Sequence, residues 1–130
     1  MTIVKGSFNI INENKEKLPK IPFKEIKEAS LGNNYSLSLI FTSPAKMKKL
    51  NTIYRDKEKP TDILSFPLNE NEGEIYISLS EAKKESKKFE RDYENFIAFL
   101  FIHGCVHLIG HDHGSTMENI EVKLRNKFQI

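Results

Sequence analysis

The chain has 130 residues, 38% of them hydrophobic and 29% charged, with a formal net charge of +2. That length suits one domain over residues 1–130 rather than two, and so small a positive excess does not by itself announce nucleic acid. The single cysteine, Cys105, excludes an intrachain disulfide framework and suits a reducing cytosol. With no charged-then-apolar leader and no apolar run approaching about 18 residues, a soluble cytoplasmic protein with no membrane partner is expected.

Taken in order, Thr2 to Ile11 alternates loosely and predicts a first strand, followed by a connection held open by Pro19 and Pro22. Phe23 to Ala29 predicts a short helix with Phe23, Ile26 and Ala29 inward, and Gly32-Asn33-Asn34 a turn. Tyr35 to Phe41 alternates cleanly and predicts a strand. Ser43-Pro44 is a helix start, a capping hydroxyl before a proline. That helix runs to about Tyr54, with Met47, Leu50 and Ile53/Tyr54 inward. Ile63 to Phe66 predicts a short buried strand stopped by Pro67, and Glu74 to Ser78 a fourth strand. Ser80 is expected to cap a helix through Phe89 whose Lys83, Lys84, Lys87 and Lys88 form a solvated face. Tyr93 to Ile109 is so apolar that it predicts a central buried helix. Ser115-x-x-Glu118 fits a capping box opening a last helix with Ile120, Leu124 and Phe128 inward. The fold class expected is α+β: a small four-stranded sheet packed by about five helices.

All four histidines fall within residues 103–113, on the end of that central helix and just beyond it. His103 and His107 are four apart, so on a helix they lie about 40° apart around the axis, one turn above the other. Two imidazoles stacked in that way can share one metal ion. Gly110 stands where a left-handed glycine can end the helix and turn a third imidazole back toward the ion. His113 is placed for that role, and His111 is the competitor. Three nitrogen ligands with an open fourth position mark a catalytic zinc site rather than a structural one. Zinc proteases carry a glutamate directly after the first histidine as general base. Here that position is Gly104, so the site looks like a metal hydrolase without the protease base.

A second informative segment runs from Leu50 to Arg55 and then from Pro60 to Pro67. Arg55 closes a helix, where it either clamps a phosphate bidentately or simply answers the helix dipole. Asp62 and Ser65 read as loop-capping groups, and Asp112 as a turn residue or as a carboxylate that orients a ligand imidazole. Cys105 points about 200° away from His103 and reads as a buried small apolar residue. The chain has only three arginines, Arg55, Arg91 and Arg125, each better suited to directed phosphate contact than a lysine.

With both segments in view, the chain resembles the YbeY family, bacterial metal-dependent endoribonucleases that act as ribosomal RNA maturation factors. The family pattern H-G-x-L-H-L-x-G-Y-D-H is met by His103 to His113, departing at Val106 and His111. The upstream pattern, L-N-x-x-[FY]-R and then P-T-D-V-L-S-F-P, is met by Leu50 to Arg55 and by Pro60 to Pro67 with Ile63 for valine. A weaker G-D-I-x-I-S element is met by Gly73 to Ser78, with Glu74 for aspartate. The resemblance implies that His103, His107 and His113 hold one zinc ion per chain and that Arg55 is the functional arginine of the cleft. It implies a small mixed sheet with helices around it. It also implies cleavage of single-stranded RNA in 16S rRNA 3′-end maturation and ribosome quality control, on rRNA precursors or ribosomal particles. A ribosomal protein or an assembly GTPase fits as a partner, though no feature of the chain selects one. The extra imidazole of His111 either competes for the metal or titrates beside it. Two other readings are carried with this one: a metal hydrolase of a different substrate, and a non-catalytic assembly factor stabilised by its zinc.

Overall fold

The structure is a computed structural model and describes residues 6–55, 61–110 and 115–130. In chain order its elements are β1 (Phe8–Asn12), α1 (Phe23–Leu31), β2 (Ser36–Phe41), α2 (Pro44–Arg55), β3 (Ile63–Asn69), β4 (Glu72–Ile77), α3 (Leu79–Lys88), α4 (Tyr93–Leu108) and α5 (Ser115–Phe128). The expected α+β class holds, with four strands and five helices among the described residues.

The strands form one mixed sheet in the order β1-β2-β4-β3. β1, β2 and β4 run parallel, and β3 pairs antiparallel with β4 through a hairpin. Alternation gives each strand two faces. Leu37, Leu39 and Phe41 of β2 and Gly73, Ile75 and Ile77 of β4 share the face that carries the main core, into which α4 packs. Ile63 and Ser65 of β3 pair with Ile77 and Ile75 and so look the same way. The other face is covered in part by α2, which lies against β3 with Met47 and Asn51 buried.

α4 is apolar nearly all round because it is buried nearly all round. Phe96, Ile97, Leu100, Phe101, Ile102, Cys105, Val106 and Leu108 are all buried, and each such side chain contributes about 1.5–3 kcal/mol. α1 and α5 pack along its flanks. Among the described residues no helix is long and apolar enough to cross a membrane.

Several local expectations need correction. β3 does not stop at Pro67 but continues to Asn69, with an irregularity in the register between the two. It is an edge strand, where a residue without an N–H can face outward at no cost to the ladder. The cap of α3 is Ser78, which accepts from the Glu81 N–H at 3.3 Å, rather than Ser80. Ser78 is the one at the extended end of β4, with the backbone geometry a cap requires. In α2 the inward side is Met47 and Asn51, whereas Ile53 and Tyr54 are 61% and 65% exposed because the last turn runs past the core. In α1 the inward set is Phe23, Ile26 and Lys27, while Ala29 is exposed. Lys27 is only 2% exposed, so its ammonium is covered along with its stem, and burial pulls its pKa below the usual lysine value. The first strand is described from Phe8, and Thr2 to Lys5 lie outside the described residues. The Ser43 cap holds, its hydroxyl accepting from the Lys46 N–H at 3.2 Å. The Ser115 side chain of the expected capping box lies outside the described residues.

Candidate metal centre

α4 begins at Asp92, whose carboxylate accepts from the Asn95 N–H at 2.7 Å. Beyond Tyr93 and Glu94 in its first turn, one stripe of this helix escapes full burial: Asn95, Phe99, His103 and His107, at successive spacings of four. Residues four apart lie on one face, so the half-exposed side of a buried helix ends in two imidazoles. Their Nε2 atoms stand 3.0 Å apart, with ring centroids 4.5 Å apart and planes at 80°. Behind them, the Nδ1 of His103 is hydrogen-bonded to the Glu121 carboxylate of α5. A carboxylate accepts only, so the Nδ1 of His103 is the donor and its Nε2 is turned toward His107.

This donor set fits a zinc ion. Two nitrogens at zinc-ligand distance on a tetrahedral ion sit about 3.3 Å apart, close to the spacing found, and the carboxylate on the remote nitrogen is the usual support of a ligand histidine. Two of the three expected ligands are thus brought together. His113, its competitor His111, and Asp112 lie outside the described residues. Among the described residues no group of three or more histidine, cysteine or acidic side chains forms a metal cage. Gly110 ends the α4 segment at a φ of 92°, the left-handed turn expected of it.

Gly104 sits between the two histidines on the side that meets β3. A Cβ added there would lie 2.9 Å from Ile63 Cδ1, 3.0 Å from Ser65 Oγ and 3.1 Å from Ile75 Cδ1. The site therefore has no room for a side chain where a protease carries its base. The Ser65 hydroxyl donates to the Gly104 carbonyl at 3.5 Å, so Ser65 lies in the strand against the helix rather than in a loop cap. Asp62, just ahead of β3, has its carboxyl pushed above the usual range by burial and by Glu85, with His103 pulling the other way.

Arg55 is the last residue of α2 and is exposed, with no ion pair among the described residues. Nothing among them joins it to the histidines. Beside it, Leu50, Tyr54, Phe66, Pro67, Leu68, Glu74 and Tyr76 line a cavity of about 290 Å³. Phe66, Glu74 and Tyr76 alternate with the residues that face α4, so this cavity opens on the opposite side of the edge strand. Cys105 is fully buried, as expected, and burial pushes its thiol up to about 12.

Glu121 was missed by sequence reasoning, which had looked to Asp112 for the orienting carboxylate. The available signal was its place on α5. Met117, Glu121, Leu124 and Phe128 form one inward stripe, and an acid on such a stripe needs a partner.

A family model described as Endoribonuclease YbeY matches residues 5–129. An Endoribonuclease YbeY from Acholeplasma laidlawii is 33% identical over 124 residues, spanning 88% of this chain and 87% of the relative. Another from Aquifex aeolicus is 37% identical over 106 residues, spanning 76% and 69%. The solution structure of TM1509 from Thermotoga maritima superposes with a TM-score of 0.65 at 25% identity, covering 94% of this chain and 91% of that one. The chain belongs to the YbeY family.

Proposed function

We propose that this protein is a zinc-dependent endoribonuclease that cuts single-stranded RNA in the cytoplasm, acting in 16S rRNA 3′-end maturation and ribosome quality control. One zinc ion per chain would be held by His103, His107 and His113. The observation that carries the reading is the approach of two Nε2 atoms to 3.0 Å with a carboxylate behind one of them, in a chain of this family.

Bound there, zinc supplies a concentrated positive charge and Lewis acidity for a phosphate oxygen or a water. The rest falls to the chain. Glu121 holds the proton on Nδ1 of His103 and so fixes the ring with Nε2 outward. Arg55 supplies a planar guanidinium that grips phosphate through two parallel hydrogen bonds and stabilises charge as it builds. Gly104 keeps a general base off the helix, which leaves His111 to take the proton from the attacking group, whether that is a water or the ribose 2′-hydroxyl of the substrate. Ribosomal particles and rRNA precursors are the partners of this reading, with a ribosomal protein or assembly GTPase as an accessory.

One observation favours a second reading, a non-catalytic assembly factor whose metal fastens the C-terminal helix: Glu121 already joins α5 to His103. Against it, Met117 and Leu124 anchor α5 in the core without any metal. The test is metal content, RNA cleavage and circular dichroism on wild type, His107→Ala and Arg55→Ala. The nuclease reading expects about one zinc per wild-type chain, loss of metal and cleavage in folded His107→Ala, and loss of cleavage alone in Arg55→Ala. Cleavage unchanged in both variants would remove it.

A further inference from the structure

Of the three arginines, Arg91 and Arg125 meet at a single ring. Phe99 is the residue of the half-exposed α4 stripe one turn before His103. The guanidinium of Arg91, the residue before the Asp92 cap of α4, lies 4.5 Å from its centroid, and that of Arg125, from α5, lies 5.3 Å away. Both distances are within cation–π range and leave the two cations within about 10 Å of each other. Arg91 is fixed further by a hydrogen bond from its Nη1 to the Asn95 side chain. Neither has a carboxylate within ion-pair distance among the described residues. The nearest acid along α5 is Glu121, four residues before Arg125, and it is engaged with His103.

Two like charges held half-buried on one ring repel each other and give up hydration. An anion shared between them relieves both costs, and planar guanidinium forks are matched to phosphate oxygens. The place is also right for a strand lying across the histidines. Phe99 and His103 are one helical turn apart, about 6 Å along the axis, comparable to the step from one nucleotide to the next.

We propose that Arg91 and Arg125, stacked on Phe99, form a backbone-phosphate subsite for single-stranded RNA, next to the phosphate at the histidine pair. This rests on the nuclease reading. The subsite reads charge and not sequence, so it sets the position of the strand on α4.

The test is equilibrium binding of a fluorescent 2′-O-methyl single strand of about eight nucleotides, which cannot be cut through its 2′-oxygen. Affinity is followed against salt for wild type, Arg91→Gln, Arg125→Gln and Arg125→Lys. Each glutamine variant is expected to bind roughly tenfold or more weakly and to flatten the slope of log affinity against log salt by about 0.7. Arg125→Lys, which keeps the charge, should restore most of the slope. Unchanged slopes in folded variants would overturn the proposal, as would a fall in melting temperature alone, since arginines that merely cover the ring would show only that. The two readings fail separately. Cleavage by wild type with unchanged slopes sinks the subsite alone, and flattened slopes without any cleavage sink the nuclease alone.

Discussion

Substituting Gly104 tests the packing on which the site is built. In an exposed helix, Gly→Ala stabilises by about 1 kcal/mol, because alanine has less backbone freedom to lose. Here the added methyl meets three atoms at 2.9–3.1 Å, well inside the roughly 3.5–4.0 Å at which carbon contacts are optimal. Overpacking of this kind costs about 1–3 kcal/mol. Two of the three atoms are the terminal methyls of Ile63 and Ile75, which can swing away, and the third is the Ser65 hydroxyl on the adjacent edge strand. The cost therefore falls in the lower part of that range. After the helix gain, the expected net effect lies between no change and a loss of about 0.5 kcal/mol, or a melting temperature lower by no more than about 4 °C. Urea titration of both proteins measures it, read at the midpoint with the slope unchanged. A stability gain of about 1 kcal/mol would show that α4 does not lie this close to β3, and the argument that the strand excludes a base from the helix would go with it. Gly104→Glu extends the point. Its carboxylate would be forced into the contact between α4 and β3, at several kcal/mol, and the variant should fail to fold rather than gain a base.

Four further outcomes are expected. Glu121→Gln should weaken zinc binding about 10–100-fold in a chelator competition while the fold persists; unchanged affinity would mean that the carboxylate does not orient His103. Cys105 should resist alkylation at neutral pH until the protein unfolds, because burial lifts its thiol to about 12 and leaves little thiolate. Tyr35 and Tyr93 are both raised to about 12 by burial. Between the usual phenol value of about 10 and 12 the unfolded chain releases these protons first, so stability should fall as pH rises through that window, and less steeply in Tyr35→Phe. Removing metal should leave the circular dichroism of the helices in place, since Met117 and Leu124 hold α5 in the core; collapse of the spectrum would favour the assembly-factor reading.

What the sequence made legible was whatever depended on neighbours along the chain. The extreme apolarity of residues 93–109 identified a buried helix, and the i,i+4 histidines identified the face on which it carries polar groups. Elements were found in the right order for the same reason. What could not be read was set by neighbours in space. That Pro67 is harmless depends on β3 being an edge strand, a property of strand order rather than of any residue. That Ser78 caps α3, and not the expected Ser80, follows from where β4 ends. Glu121 becomes a partner of His103 only because α5 runs back along α4, which the α5 sequence does not state. Arg91 and Arg125 were each noted as arginines, but their meeting on Phe99 has the same tertiary origin.

This division bears on how the chemistry is distributed. A helix buried on nearly every side can offer only one stripe to a substrate, and on α4 that stripe holds Asn95, Phe99, His103 and His107. The face between the histidines is closed by Gly104 against β3, so the helix carries no side chain where a protease has its base. Every other function must come to the stripe from elsewhere. Orientation of the imidazole comes from α5 through Glu121, and strand positioning comes from Arg91 and Arg125 on the same flank. Such a site can bind and polarise a substrate that is already charged, yet it is poorly equipped to activate a neutral amide. That asymmetry, more than the histidine spacing alone, favours a phosphodiester over a peptide.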